Sequence, residues 1–352
     1  MKAILALEDG TQFVGESFGA AGSCIGEVVF STGMTGYEET LTDPSLAGQI
    51  LVMTYPLAGN YGITGEDAES DRIHLKGLVV RELTDQPSNF RAKETLHQYL
   101  NRNGIIGIKG IDTRALTSIL RDKGTMNGVI STDSGFRLED WIEKLKNHRF
   151  DNPVETVTTK TVLHYEGPGK RIAIVDYGVK RNIIRCLQKR ECDVYVFPAT
   201  STAGDILSVD PDGILLSGGP GNPMDCRFQV EVIRELTGKK PIFGICLGHL
   251  MAALANGAVT YRMKYGHRGG NHPVRDIEKN RTYITSQGHG YAVSEESLDP
   301  EKAIVSHVNI NDGTVEGIRY LDSSTFTVQF HPEGASGPND TEYLFDEFIS
   351  GL

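Results

Sequence analysis

At 352 residues the chain is longer than a typical single domain, which predicts two. Its 39% hydrophobic and 23% charged residues describe an ordinary globular protein, and its formal net charge of −11 argues against nucleic acid or an anionic membrane as partner, because both are bound through clustered Lys and Arg. No run of roughly 18 apolar residues occurs, so no membrane span is expected.

The apolar start MKAILAL runs into Glu8-Asp9-Gly10, a strand entering a turn rather than a signal peptide. Five cysteines without a CxxC pair predict free thiols in a reducing, cytoplasmic setting. Residues 1–150 alternate short β-rich runs (Val28-Val29-Phe30, Ile50-Leu51-Val52, Leu78-Val79-Val80) with Gly, Thr and Asp turns. Helical patterns follow at 96–103 and Thr113–Lys123, the second offering Asp112 or Thr113 as cap. This half reads as a strand-rich mixed α/β domain. Residues 151–169 are polar and Thr-rich and read as a linker. From 170 to 352 the rhythm changes. Strands at Arg171–Asp176, 193–197, Gly213–Leu216 and 241–245 alternate with helices at 179–189, 228–236 and Leu247–Ala255. That alternation predicts an α/β doubly wound, mostly parallel sheet. Runs at 283–285, 303–307, 317–320 and 325–330 predict a more antiparallel finish.

Three segments of the second half carry chemistry. In Gly244-Ile245-Cys246-Leu247-Gly248-His249 a buried strand runs straight into a helix with Cys246 at the junction. Small residues two before and two after it permit a sharp, strained elbow that exposes a nucleophile. A helix N-terminus there favours an anionic sulfur. In Gln329-Phe330-His331-Pro332-Glu333 a strand delivers a base at its end, with a carboxylate two residues on to orient it. In Ser217-Gly218-Gly219-Pro220-Gly221 a strand ends in a glycine-rich loop. Such a loop suits a phosphate cradle or an oxyanion hole; the cradle lacks its Lys and its G-x-G-x-x-G spacing. Taken singly, each segment is also an ordinary turn or packing feature.

Together, and in this order, the three segments resemble the class I glutamine amidotransferases. The first half is similar to the small subunit of carbamoyl-phosphate synthetase, through Glu8-Asp9-Gly10-Thr11, Met34-Thr35-Gly36-Tyr37-Glu38-Glu39, Leu41-Thr42-Asp43-Pro44-Ser45 and Gly110-Ile111-Asp112-Thr113-Arg114. Asp176-Tyr177-Gly178-Val179-Lys180-Arg181-Asn182 and Gly266-His267-Arg268-Gly269-Gly270-Asn271-His272-Pro273 match in the second half. The resemblance implies that Cys246 attacks the side-chain amide of L-glutamine, with His331 as acid and base and Glu333 orienting it. It implies glutamine contacts at Ser45, Gly219, Gly221, Leu247, Gly290 and Tyr291, and an oxyanion held by the N–H groups of Gly219 and Leu247. It also implies a separate large subunit as heterodimer partner, contacted by the N-terminal domain and supplied with ammonia through a tunnel. That subunit would make carbamoyl phosphate from bicarbonate and ATP for arginine and pyrimidines. No cofactor or metal is expected on this chain; ATP, Mg and K belong to the large subunit.

Two positions depart from the family. Leu250 stands where the family has a Gln that contacts substrate, and Gly288 where it has Asn. Gly218 is a milder change from Asn. An unmet buried hydrogen bond costs about 1–3 kcal/mol, enough to weaken glutamine binding about tenfold or more. Two readings follow: a glutaminase with altered affinity, or a weakly active or non-enzymatic scaffold of an ammonia-using synthetase. His249, His267, His272 and His289 match no zinc spacing and read as packing or loop hydrogen bonding.

Overall fold

Short β-branched runs cannot bury two faces alone, and the first half solves this by closing on itself. In the computed structural model, which describes residues 1–352, Met1–Asp151 form one compact unit and Asn152–Leu352 another. Seven strands of the first unit close a barrel in the order Lys2–Leu7, Gln12–Gly19, Ile106–Lys109, Gly77–Val79, Gln49–Met53, Ser23–Ser31 and Met126–Ser131, with the last pairing back to the first. Successive residues point to opposite faces. Val28, Ile50 and Val79 therefore join one apolar cluster with Leu116 and Leu120 of the Thr113–Lys123 helix, while Val29, Leu51 and Leu78 join another with Leu96 and Leu100. Of the two candidate caps, Asp112 is the one used: its carboxylate accepts from the Ala115 N–H at 2.9 Å.

The second unit is built on ten strands in one sheet. Five are parallel, in the order Asp193–Pro198, Arg171–Asp176, Gly213–Leu216, Ile242–Ile245, Thr325–Val328. Both faces of this parallel core are covered. Ala173, Val175, Ile214 and Leu216 pack with Ile233, Leu236 and Met251 of the Arg227–Leu236 and Leu247–Ala255 helices. Ile172, Ile174, Leu215 and Phe243 pack on the other face with Ile183 and Leu187 of the Arg181–Gln188 helix and Phe345 of the Tyr343–Ser350 helix. This is the doubly wound arrangement. Beyond Thr325–Val328 the strands Val315–Tyr320, Ala303–Asn309, Thr260–Asp276 and Arg281–Val293 pair antiparallel. Residues 260–276 were not expected as strand, because their Gly-, His- and Arg-rich run has no alternation to read. They pair with Arg281–Val293 through two register shifts.

Of residues 151–169, expected as a linker, all but Asp151 belong to this unit. Pro153–Val157 is a short helix and Leu163–Tyr165 pairs with the sheet edge at Asp193–Pro198. The Thr-rich run uses its polar atoms locally. The Thr158 hydroxyl donates to the Asp176 carbonyl at 2.6 Å, and the Thr159 N–H donates to the Asp176 carboxylate at 2.7 Å.

Candidate active site

The central strand Ile242–Ile245 ends at Cys246, and the helix Leu247–Ala255 begins at the next residue. No residue is left for a loop, so the turn must be made at the cysteine. Cys246 takes φ 51° and ψ −105°, a region that non-glycine residues enter only where surrounding structure enforces it. The enforcement is visible. The Cys246 N–H donates to the Val328 carbonyl at 2.9 Å, and the Gly248 N–H to the Ser217 carbonyl at 3.1 Å. A Cβ at Gly248 would lie 2.4 Å from the Leu216 carbonyl oxygen, so only glycine lets the helix approach the neighbouring strand so closely.

Ser217 begins the glycine loop. Its hydroxyl accepts from the Tyr177 N–H at 2.9 Å and so ties the loop to the adjacent strand end. A Cβ at Gly219 would collide with the Tyr177 carbonyl oxygen at 2.2 Å. A Cβ at Gly218 would lie 3.0 Å from His331 Cε1 and 3.5 Å from Cys246 Cβ, so this one backbone position flanks both side chains. Leu247 opens the helix, and its N–H is among the first four that lack an intrahelical acceptor. Its side chain reaches within 3.0 Å of a Cβ built at Gly219, so the glycine loop packs against the first residue of the helix.

His331 follows the Thr325–Val328 strand and is held by its N–H, which donates to the Ser286 carbonyl at 2.8 Å. Its Nδ1 lies 2.7 Å from Glu333 Oε1. Only 2% of His331 and 1% of Glu333 are exposed, so this bond is shielded from water. Nε2 makes no hydrogen bond of ordinary geometry in the resting site. Burial and the Lys180 ammonium push the imidazole pKa down, but the Glu333 carboxylate and the Cys246 sulfur outweigh them, and the net direction is up. For Glu333, burial pushes up, while Lys180 and His331 hold the carboxyl below its usual range.

Gly288 lies on the Arg281–Val293 strand, and a Cβ there would sit 3.6 Å from His331 Nε2. Gly290 and Tyr291 follow it on the same strand. Tyr291 packs against the apolar cluster that contains Leu250, Ala253, Val293, Val315 and Ile318. Leu250, only 3% exposed, thus turns its side chain into aliphatic surroundings and offers no hydrogen bond. Gly221 takes φ +96° against Pro153. Ser45 belongs to the first unit, in the Pro44–Leu46 turn of helix, where its hydroxyl is buried without a partner.

Two family models match: "Carbamoyl-phosphate synthase small chain, CPSase domain" over residues 5–130, and "Glutamine amidotransferase class-I" over residues 173–350. The carbamoyl phosphate synthase small chain of Clostridium acetobutylicum is 48% identical over 355 residues, covering 99% of this chain and 100% of the relative. That of Clostridium perfringens is 51% identical over 349 residues, with 99% of each covered. The chain belongs to the carbamoyl-phosphate synthase small-chain family. It joins a carbamoyl-phosphate synthase small-chain domain to a class I glutamine amidotransferase domain. Among solved structures, a glutamine amidotransferase from Thermotoga maritima aligns with TM-score 0.39 and 20% identity over 47% of this chain and 76% of its own.

Within the family frame, sequence reasoning missed two residues of the site. Lys180 Nζ lies 2.7 Å from Glu333 Oε1, with 2% of the lysine side chain exposed. The Asn182 side-chain amide donates to the Glu333 carbonyl. Both lie in the 176–182 stretch that carries the resemblance, but a buried lysine has no sequence signal of its own. Behind Gly288, His267 Nε2 lies 2.8 Å from Asp312 and its Nδ1 3.4 Å from Glu316, whose other oxygen accepts from Gln287 at 2.9 Å. The possible ligand atoms of His267, His289 and Glu316 come within 4.8 Å of one another. Their hydrogen-bonding capacity is taken up by Asp312, Asn309, Gln287 and the Tyr291 carbonyl. His249 bonds Thr327 at 2.7 Å. Burial pushes the other four thiols, Cys24, Cys186, Cys192 and Cys226, up to about 11 or 12, so they stay protonated.

Proposed function

We propose that the chain hydrolyses L-glutamine to glutamate and ammonia at Cys246 and passes the ammonia to a separate large subunit, which uses bicarbonate and ATP to make carbamoyl phosphate. The observation that carries this reading is the strained Cys246 elbow flanked by an imidazole whose Nδ1 is fixed 2.7 Å from a buried carboxylate. Glu333 holds Nδ1, leaving Nε2 to work on the cysteine side. The sulfur attacks the amide carbon while His331 takes the thiol proton, and the carbonyl oxygen becomes an oxyanion facing the Gly219 and Leu247 N–H groups. His331 returns the proton to the nitrogen, the C–N bond breaks, and ammonia leaves a γ-glutamyl thioester. Water, deprotonated by His331, attacks that thioester; the C–S bond breaks, glutamate departs, and the sulfur is restored.

The test is glutamate release by the complex with its large subunit, alongside labelling of Cys246 by a diazoketone analogue of glutamine. Glutamine-dependent carbamoyl phosphate synthesis is expected to vanish in Cys246→Ser while synthesis from added ammonia persists. Absence of glutamate release or of labelling at Cys246 in the unaltered chain would favour the second reading, a scaffold for an ammonia-fed large subunit. One observation speaks for that reading: the apolar burial of Leu250 beside Tyr291.

A further inference from the structure

Two glycines of the Arg281–Val293 strand show what lies over one of its faces. A Cβ at Gly288 would lie 3.6 Å from His331 Nε2, and a Cβ at Gly290 would lie 3.2 Å from Arg268 Nη2. Positions two apart on a strand face the same way and sit about 6.6 Å apart. The His331 imidazole and the Arg268 guanidinium therefore stand over the same strand face, one behind the other. The arginine comes from the neighbouring Thr260–Asp276 strand, where it pairs with Gly288. Its side chain runs back along that strand. Nη1 donates to the Tyr265 carbonyl at 2.8 Å and would lie 2.8 Å from a Cβ at Gly266. Gly266 and Gly290 thus leave the space in which the guanidinium lies, and only 6% of Arg268 is exposed.

We propose that Arg268 binds the α-carboxylate of L-glutamine and so selects substrates that carry one. The inference rests on the glutaminase reading above and adds the subsite at the far end of the substrate. Length matches. The amide carbon of an extended glutamine stands about 5 Å from its carboxylate carbon. An amide held at Cys246 and His331 therefore brings the carboxylate to the guanidinium two strand positions on. Charge matches as well. The carboxylate is an anion entering a buried site, where it is costly unless paired. The other buried cations of this region answer carboxylates of the chain itself: Lys180 lies 2.7 Å from Glu333, and His267 lies 2.8 Å from Asp312. A guanidinium presents several N–H donors in one plane, a fork that a carboxylate meets with both oxygens. This contact also gives glutamine a hold that Leu250 cannot supply.

The experiment compares L-glutamine with 4-aminobutyramide, the same amide without the carboxylate, using Arg268→Met and Arg268→Lys in the complex with the large subunit. In Arg268→Met the KM for glutamine is expected to rise by roughly 10- to 100-fold, with kcat within about threefold and synthesis from added ammonia unchanged. The kcat/KM for 4-aminobutyramide should stay within about twofold of the unaltered complex, because that substrate never meets the guanidinium. Arg268→Lys keeps the charge but loses the planar fork, and its discrimination between the two amides should fall to an intermediate level. A second arm needs no hydrolysis: glutamine binding to the Cys246→Ser complex, read by isothermal titration calorimetry, should weaken by the same factor when Arg268→Met is added. Binding that weakens in this way, in a complex whose unaltered form releases no glutamate, sinks the glutaminase reading and leaves the carboxylate subsite standing. An unchanged glutamine affinity in a folded Arg268→Met complex, or an equal loss toward 4-aminobutyramide as a purely structural arginine would give, would overturn the proposal. Unchanged discrimination in Arg268→Lys overturns it even where Arg268→Met fails to fold.

Discussion

The cysteine, the imidazole and the carboxylate were each visible as residue types in suggestive places, and each gained meaning only from distance. Leu250 shows the reverse. Its sequence position, four after Cys246 on the helix, marks it as a departure from the family's Gln, and the structure gives the departure a cost on both sides. A Gln there must either turn its amide toward the glutamine pocket or bury it among Ala253, Val293 and Ile318. The first outcome supplies a hydrogen bond worth about 1 kcal/mol or more to substrate; the second leaves an unmet amide that lowers stability by about 1–3 kcal/mol. Leu250→Gln is therefore expected to lower KM for glutamine roughly tenfold with kcat unchanged, at some loss of thermal stability. Gly288→Asn should act alongside it, since a Cβ there meets His331 Nε2 at an ordinary 3.6 Å. Steady-state kinetics on the single and double variants decide the matter, and an unaltered KM in both would show that this pocket does not use those positions.

At the scale of elements, the elbow is where sequence and structure speak most directly to one another. A strand, a cysteine and a helix with no intervening loop can be read from Phe243 to Ala255, because an apolar β run changes there to a helical one. What could not be read is why both glycines are needed. Gly248 is set by the neighbouring strand, whose Leu216, 32 positions earlier, has a carbonyl oxygen that would be 2.4 Å from any Cβ. Gly248→Ala must push the helix away from that strand, and the helix carries the Leu247 N–H with it. The expected result is a fall in kcat of about 100-fold, by analogy with losing one oxyanion donor, accompanied by slower Cys246 labelling and only modest loss of fold. Wild-type kcat in that variant would show that the helix position is not critical. The same reasoning explains what the sequence concealed elsewhere. The Thr260–Asp276 strand has no period-2 signal because its Gly and His residues serve bulges and buried hydrogen bonds. The Thr-rich stretch at 156–161 looked unstructured because its polar atoms answer to Asp176, a residue it reaches only in the fold. Lys180 was illegible for the same reason: nothing local to residues 176–182 foretells Glu333.

For the whole molecule, these buried polar groups set how stability depends on pH. Burial holds His74, His249, His272 and His307 at about 4, 3, 4 and 4, and His289 well below its usual value. Each takes up a proton more readily when unfolded. Stability is therefore lost as pH falls below about 6.5, with a slope of up to ~1.4 kcal/mol per pH unit for each such histidine. His267 works the other way. Burial pushes it down, but its bonds to Asp312 and Glu316 outweigh burial and raise it to about 9. Its contribution is complete below about 6.5 and disappears as pH rises through about 9. Asp312, raised by burial but lowered on balance to about 2 by His267 and Thr314, contributes above about 3.8 and fails only in strong acid. The molecule should accordingly be most stable near neutrality, with a steep acid side carried by several histidines and a shallower alkaline side carried by His267 and His331, both raised above their usual value. Urea midpoints followed by far-UV circular dichroism at pH 5, 7 and 9.5 test both limbs. His267→Gln is expected to lower the midpoint at pH 7, because it leaves Asp312 and Glu316 without their cation, to shrink the fall between pH 7 and 9.5, and to ease the acid limb slightly, because His272 and His289 lose a neighbouring cation that holds them down. An alkaline fall as large as that of the unaltered protein would mean that the His267 clamp carries no share of it and that His331 carries the limb.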